Sequence, residues 1–156
     1  MRWIWIDRFT AFESRKSATA VKCVSSAEEP FSEHFPGFPV YPAPLILEGL
    51  AQTGGILVGE ANGFAEKVVL AKIPKATFHR DVFPGEMLTL TVDVLDLRPE
   101  GAVIAGKVTS DGELVAEAEI FFAHLDKSRS AQLFGDHNFV FDGELKRLLA
   151  GVPTAT

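Results

Sequence analysis

The amino-acid sequence predicts an α+β fold in which an antiparallel β-sheet wraps around one central, buried α-helix. Two short segments of alternating polar and apolar residues come first, then one long apolar segment, then further alternating segments. No helix alternates with the strands, so a parallel βαβ sheet is not expected. The 156 residues are enough for one ordinary domain with a substantial core.

Alternation of polar and apolar residues places the strands, because successive side chains of a strand point to opposite faces. Asp111 and Gly112 form a residue pair that favours the tight type I′ turn of a β-hairpin, so they are expected between the last two strands. Phe-Pro-Gly occurs at 35–37 and at 83–85, and each copy is interpreted as a turn. The expected strands are residues 3–9, 17–24, 68–73, 77–80, 87–97, 102–110 and 113–125.

The helix is expected from Pro44, which suits the first helical position, to about residue 62, with Gly63 at its end. Its apolar side chains cover nearly every face, as in a helix that is buried all round. Glycine inside a helix weakens it by about 1 kcal/mol relative to alanine. This cost is explained if other parts of the chain approach the helix closely on several sides. The glycines inside the helix are Gly49, Gly54, Gly55 and Gly59.

The predicted domain covers residues 1–125. Residues 126–156 are interpreted as a loosely attached extension with one short helix near 144–150, not as a separate domain. The single cysteine, Cys23, cannot form a disulfide within one chain and is expected to be a buried thiol. A reducing cytoplasm is therefore the expected location.

Composition argues against several classes of function. Hydrophobic residues make up 47% and charged residues 23% of the chain, which is typical of a folded globular protein. A formal charge of -6 argues against general binding of nucleic acid or anionic membranes, which both need a basic surface. The longest apolar segment contains Glu48, Gln52 and Glu60 and is shorter than the ~20 residues of a membrane span.

His34 and Glu48 are the strongest candidates for catalytic residues. His34 precedes a Phe-Pro-Gly turn, and Glu48 follows 14 positions later in the apolar helix. A histidine exchanges protons near neutral pH, and burial of a carboxyl group favours the protonated form that can donate. Residue types alone leave a second interpretation open. His34 is also explained as a hydrogen-bonded loop residue, and Glu48 as a first-turn residue that the helix dipole favours.

Other kinds of site lack support in the sequence. There is no Gly-x-Ser-x-Gly motif and no glycine-rich phosphate loop after a strand. One cysteine cannot build a thiolate zinc site, and the four histidines do not have the spacing of metal ligands. We therefore expect neither a metal nor a cofactor, and we expect structural roles for His79 and His124.

The segments around the candidate pair resemble a known signature. Residues 34–45 read HFPGFPVYPAPL, and residues 48–52 read EGLAQ. They resemble the FabZ-type β-hydroxyacyl-acyl-carrier-protein dehydratases, whose signature is HFPGxPxxPGxL followed by a helix with EAxAQ. The resemblance covers roughly residues 1–125. It continues through ATFHR at 76–80, VFPGEML at 82–88 and GELVAEA at 112–118.

This resemblance implies a hot-dog fold and the dehydration of 3-hydroxyacyl thioesters on acyl carrier protein to trans-2-enoyl thioesters, in fatty-acid or related biosynthesis. His34 would remove the proton α to the thioester, and Glu48 would act on the β-hydroxyl so that it leaves as water. Gln52, one helical turn beyond Glu48, would hold that carboxyl group in place. Glutamate at 48 favours this branch over the FabA-type dehydratase–isomerases, which carry aspartate there.

Two departures from the family pattern keep other functions open. The glycine whose backbone N–H receives the thioester oxygen is Ala43 here, and the following Pro44 restricts its backbone. Glu33 replaces the glycine before His34 and places a negative charge beside the expected base. The alternatives are a catalytically impaired hot-dog acyl-binding or scaffold subunit, and a hot-dog acyl thioesterase.

The resemblance also implies partners. The substrate is expected as a 3-hydroxyacyl-phosphopantetheine carried by acyl carrier protein, with no nucleic-acid partner. A homodimer is expected in which His34 of one subunit acts with Glu48 of the other, and three such dimers would form a hexamer. Because carrier proteins present acidic helices, basic residues are expected to dock them. The candidates are Lys72, Lys75, Arg80 and Arg98.

Overall fold

A computed structural model describes residues 3–125 and 147–152. It contains one α-helix and a six-stranded antiparallel sheet with the strand order β1-β2-β4-β5-β6-β3. The α+β architecture expected from the sequence is confirmed. The elements are β1 (Arg8–Glu13), β2 (Ser17–Cys23), α1 (Ala43–Ala61), β3 (Lys67–Phe78), β4 (Met87–Arg98), β5 (Gly101–Ser110) and β6 (Glu113–Leu125).

The helix α1 packs on strands β2 to β6, and every residue from Gly49 to Gly59 is buried. A Cβ at Gly49 would lie 2.8 Å from Leu90 Cδ2, and one at Gly54 would collide with Ile104. Glycine at these two positions therefore lets the sheet approach the helix more closely than alanine would. The predicted helix, buried on all sides, is confirmed.

The two predicted chain reversals are also present. Gly63, just after α1, has φ of +60°, and the β5–β6 turn has φ of +50° at Asp111 and +82° at Gly112. Both turn residues lie in the left-handed region, as a type I′ hairpin requires. The hairpin pairs β5 with β6 from Ser110 opposite Glu113 to Gly101 opposite Ala123.

The first strand differs from its prediction. It begins at Arg8 instead of Trp3 and continues to Glu13. The apolar residues before it lie against α1, where the Trp5 N–H donates to the Gln52 side chain and the Trp5 carbonyl lies beside Gly49. Alternation in this segment therefore reflects packing on a helix and not pairing in a sheet.

The two strands predicted at 68–73 and 77–80 form one strand, β3, which includes Pro74. Proline lacks an N–H and is tolerated only where the strand does not need that donor. Within the part of the chain that the structure describes, β3 pairs on one side only, with β6, and its register shifts on both sides of Lys72. The prediction was wrong because a proline inside a segment is also consistent with an edge strand.

Cys23 is exposed, so the prediction of a buried thiol was wrong. In β2 the side chains of Ala18 and Ala20 face the core, and the same face continues to Lys22. Lys22 is buried and its ammonium group lies 2.9 Å from Glu28. Period-two alternation therefore turns Cys23, the next residue, to the outer face.

The C-terminal extension is described only at residues 147–152. Leu148, Leu149 and Val152 are partly buried and pack against the hydrophobic core. Residues 144–146 of the helix predicted near 144–150 lie outside the described residues, residue 147 is helical and residues 148–150 form a turn. The division at residue 125 stays a prediction. Among the described helices, none has the length and hydropathy needed to cross a membrane.

Adding a methyl group at two adjacent helical glycines should have opposite effects on stability. Gly54→Ala forces its Cβ into fully buried Ile104, so it should lower the free energy of unfolding by about 1–2 kcal/mol. Gly55→Ala places its Cβ 3.7 Å from Phe122, an ordinary contact, and should gain up to about 1 kcal/mol from helix propensity. Urea unfolding of both variants measures the contrast, and equal effects would contradict close packing at Gly54.

Candidate active site

Glu48 and Gln52 lie one turn apart on the same face of α1. The Gln52 Nε2 donates to Glu48 Oε1 at 3.0 Å. Gln52 is buried, whereas Glu48 is only partly buried, which leaves room for a substrate to reach its carboxyl group. The helix begins at Ala43 and has no acidic residue in its first turn, so the first-turn interpretation of Glu48 was wrong.

Gln52 is fixed by the N-terminal segment of the chain. Its Oε1 accepts the Trp5 N–H at 2.8 Å, and its Nε2 also donates to the Trp3 carbonyl at 3.1 Å. Because a backbone N–H can only donate and a carbonyl can only accept, these contacts define which end of the amide is oxygen. The amide nitrogen must therefore face Glu48.

Trp3 also contacts Glu48, and this contact was not predicted. Its indole Nε1 donates to Glu48 Oε1 at 3.1 Å. The Trp3 ring lies edge-on to the Trp5 ring, with centroids 5.4 Å apart and planes at 89°. No motif signals this contact, because it joins residues 45 positions apart through the fold.

His34 lies in the loop before α1, and its hydrogen bond defines its tautomer. The Nδ1 lies 3.1 Å from the Val40 carbonyl, which can only accept, so Nδ1 carries the hydrogen and Nε2 has a free lone pair. The ring stacks on Phe35 with centroids 4.1 Å apart. The Phe35 N–H donates to the Phe38 carbonyl and the Phe38 N–H to the Phe35 carbonyl, at 3.1 and 3.0 Å, which closes the turn. The neutral ring can accept a proton at Nε2.

The structure does not join all the predicted site residues within one chain. Gln52 contacts Glu48, but no hydrogen bond or ion pair among residues 3–125 and 147–152 links His34 to Glu48. Ala43 is the first residue of α1, and Pro42 is its N-cap. The backbone N–H groups of a helix's first turn lack partners within the helix. The Ala43 N–H can therefore donate a hydrogen bond to an anionic oxygen.

Tyr41 anchors the chain between His34 and α1. It is buried, its ring packs against Trp5 and Phe31, and its N–H donates to the Val82 carbonyl at 2.8 Å. Burial raises the pKa of the Tyr41 phenol far above its usual range, and the negative charges of Glu28 and Asp7 add to this effect. The phenol therefore stays neutral at any pH at which the protein works.

The four basic residues predicted to dock a carrier protein do not form one cluster. Lys72 and Lys75 are exposed on β3, and Arg80 follows the end of that strand. Arg98 is the last residue of β4 and lies opposite Gly101, at the opposite end of the sheet from Arg80. There it forms an ion pair with Asp96 at 2.7 Å. The prediction grouped them because they are close in sequence. In a sheet, however, the start and the end of one strand lie at opposite ends of the sheet.

Arg80 is part of an ionic network with two acidic residues. Its two terminal nitrogens donate to Glu86 at 3.1 and 2.8 Å, and its Nε lies 3.4 Å from exposed Glu113. Glu86 also accepts the Phe83 N–H at 2.8 Å, which holds the second Phe-Pro-Gly turn. The hydrogen bonds from Arg80 lower the pKa of Glu86 from its ordinary value of 4.5, although burial opposes them.

No group of three or more His, Cys, Asp and Glu side chains within the described ranges is arranged to hold a metal ion. Buried His124 binds the Pro99 carbonyl through Nδ1 at 3.0 Å and has Glu66 at 3.6 Å. His79 lies 3.7 Å from Glu117 on the surface.

Comparison with known proteins assigns this chain to a family. A profile of the FabA-like domain family matches residues 3–119. The chain belongs to this family, and it is a FabZ-type member. It is 41% identical over 125 residues to 3-hydroxyacyl-acyl-carrier-protein dehydratase FabZ of Listeria welshimeri, covering 80% of this chain and 87% of that protein. It is 42% identical over 129 residues to the FabZ of Cereibacter sphaeroides, covering 80% and 81%.

Solved structures agree on the fold. The dehydratase heterocomplex ApeI:P from Xenorhabdus doucetiae superimposes with a TM-score of 0.70, covering 84% of this chain and 89% of that chain. At 15% sequence identity this match supports the fold alone. The predicted hot-dog fold and the FabZ-type resemblance are both confirmed.

Removing the charge of Glu86 should destabilise the protein at neutral pH and have less effect in acid. A carboxyl group with a lowered pKa in the folded state contributes stability above its unfolded value, and this contribution is lost as pH falls through the lowered value. Glu86→Gln should therefore cost about 1–2 kcal/mol at pH 7, and this difference should shrink below about pH 4. Urea unfolding at both pH values measures it.

Glu113→Gln is the matched control, because Glu113 contacts the same arginine from an exposed position. It should change stability by less than about 0.5 kcal/mol at either pH. If Glu86→Gln lowered the free energy of unfolding by the same amount at pH 7 and in acid, the ionised Glu86 carboxylate would not be the source of the stability.

Proposed function

We propose that this protein dehydrates 3-hydroxyacyl thioesters carried on acyl carrier protein to trans-2-enoyl thioesters, in fatty-acid or related acyl-chain biosynthesis. The observation that carries the proposal is the Glu48–Gln52 pair, whose carboxyl group is oriented and partly accessible, in a chain with the FabZ-type signature. The relatives over 80% of the chain are dehydratases, which disfavours an impaired scaffold subunit or a thioesterase. A cytoplasmic location stays a prediction.

The reaction needs one base and one acid on opposite sides of a carbon–carbon bond. His34 Nε2 takes the proton from the carbon α to the thioester, and negative charge develops on the thioester oxygen. Glu48 gives a proton to the β-hydroxyl, the carbon–oxygen bond breaks, and water leaves. The electron pair left on the α carbon forms the new double bond, so the reaction consumes no oxidant, reductant or cofactor.

Ala43 is the proposed donor to the thioester oxygen. Of the first three residues of α1, Pro44 has no N–H, and Leu45 already donates to the Pro42 carbonyl at 2.9 Å. Ala43 therefore supplies the available N–H at the start of the helix, where the helix dipole also stabilises negative charge. The methyl group that replaces the family glycine's hydrogen does not remove this donor.

We infer that the active site is shared between two copies of the chain. His34 bonds to its own loop and has no direct link to Glu48 of the same chain among the described residues. Among the described residues, the 12-residue strand β3 pairs on one side only, and a sheet edge this long is usually covered in natural proteins. Pairing of β3 with its copy would form a two-fold dimer. Assembly of three dimers into a hexamer stays a prediction.

Either catalytic substitution should lower turnover strongly without unfolding the protein. Glu48→Gln and His34→Ala should each reduce hydration of a crotonyl thioester, followed at its enoyl absorbance, by at least about 10²-fold. Glu60→Gln is the matched control, because Glu60 lies near the other end of α1 and bonds to Ser14. Near-normal rates for either catalytic variant would place the chemistry elsewhere.

Mixing the two inactive variants tests whether the site is shared. Unfolding and refolding them together makes mixed dimers, in which one site carries both substitutions and the other carries neither. With random pairing, half of the dimers are mixed, so roughly a quarter of wild-type activity should return. A well-refolded mixture with no recovered activity would show that both residues of a site come from one chain.

Lys72, Lys75 and Arg80 are the proposed docking residues for the acidic carrier protein. Side chains of a strand point to the sheet faces, so pairing along the β3 edge leaves exposed lysines accessible. We omit Arg98 from this surface because it ends β4 near the C-terminal end of α1, away from Glu48.

Charge reversal at the two lysines should weaken docking and spare the chemistry. Lys72→Glu with Lys75→Glu should raise KM for a carrier-linked substrate by about tenfold, since like charges then face each other. KM for the coenzyme A thioester of the same acyl group should stay within about twofold of the wild-type value. Coenzyme A has no acidic helices that the new glutamates could repel. Arg98→Glu is the control, because Arg98 lies on β4, three strands away from β3. Equal effects on both substrates would argue against docking at these lysines.

A further inference from the structure

We infer that the indole N–H of Trp3 is a positioning donor for Glu48 and determines which carboxyl oxygen delivers the proton. This inference rests on the proposed role of Glu48 as the acid. The observation behind it is that two N–H groups, from Gln52 and Trp3, converge on the same oxygen at 3.0 and 3.1 Å. In this arrangement Trp3 acts on the reaction only through Glu48.

The two contacts occupy one oxygen and leave the other available. A carboxyl oxygen has two lone pairs, and both lone pairs of Glu48 Oε1 face N–H donors. A proton on Oε1 would compete with these donors, so the neutral acid carries its proton on Oε2. Oε2 is therefore the atom that reaches the β-hydroxyl, and the Trp3 contact restricts rotation of the carboxyl group away from that orientation.

The same contacts favour the state that forms as the proton leaves. A hydrogen bond to an ionised carboxylate is stronger than one to the neutral acid, so each donor stabilises the charge that develops on Glu48. Two donors on Oε1 therefore stabilise this developing charge more than one donor would. The effect of Trp3 is strongest in the transition state, where the carboxyl group has partly lost its proton.

Trp3 is held in place by the residue that also binds Glu48. Gln52 donates to the Trp3 carbonyl and accepts the Trp5 N–H, so a single buried amide positions both the carboxyl group and the backbone of its second donor. The Trp3 side chain is 57% exposed, whereas Trp5 is only 5% exposed. Trp3 therefore contributes little to the core, and its placement is explained by the contact with Glu48.

Replacing Trp3 by phenylalanine tests the donor while keeping an aromatic ring. Trp3→Phe should lower kcat about three- to tenfold, the usual scale for one lost hydrogen bond, and leave KM within about twofold. The melting temperature should be almost unchanged.

Trp5→Phe is the matched control, since it removes an indole N–H of the same kind that has no hydrogen-bond partner among the described residues. It should lower the melting temperature by removing buried ring contacts, and it should reduce kcat less than Trp3→Phe does. A loss of kcat equal to the loss in Trp3→Phe would overturn the inference, because general loosening would then explain both.

A double variant separates this inference from the proposed site. In a Glu48→Gln background, Trp3→Phe should reduce the residual rate by less than about twofold, because its target is already changed. A full additional loss would show that Trp3 acts independently of Glu48. If Glu48→Gln is inactive but Trp3→Phe keeps wild-type kcat, the Trp3 inference fails alone. If Glu48→Gln keeps its activity, the proposed site fails and the inference fails with it.

Discussion

The hydrogen bonds of the Gln52 side chain are the interactions on which the arrangement of the site depends. It is buried in a helix that is otherwise almost wholly apolar, and an unsatisfied amide there would cost roughly 1–3 kcal/mol. Its oxygen and nitrogen are satisfied by the N-terminal segment and by Glu48. One polar group therefore fixes the start of the chain against α1 and orients a carboxyl group at the same time.

The central helix was predictable because its signals are local. Pro44, the run of apolar residues and Gly63 mark its extent, and Gly49 and Gly54 indicate close approach before the neighbours are known. The long strands β4, β5 and β6 follow from alternation for the same reason. The candidate pair and Gln52 were found from a signature in which residue types and spacing agree.

What the sequence left open depends on contacts between distant segments. Alternation from Trp3 onward was consistent with a strand, but the segment alternates because one side faces α1. Cys23 has apolar neighbours in sequence, yet the inward face of β2 at that end is taken by Lys22, which Glu28 neutralises. The Trp3–Glu48 contact and the separation of Arg98 from Arg80 follow from sheet topology, which no short segment encodes.

The geometry also separates the proposed acid from the proposed base, which fits the proposed oligomeric arrangement. Glu48 is oriented by its own chain, through two donors that leave Oε2 available. His34 is oriented by its own loop, through a contact that leaves Nε2 available. Each group is thus prepared before substrate binds, and neither uses the other to hold its position. On the proposed two-fold arrangement, association brings prepared groups together without reorganising either, and such preorganisation keeps the cost of reaching the transition state low.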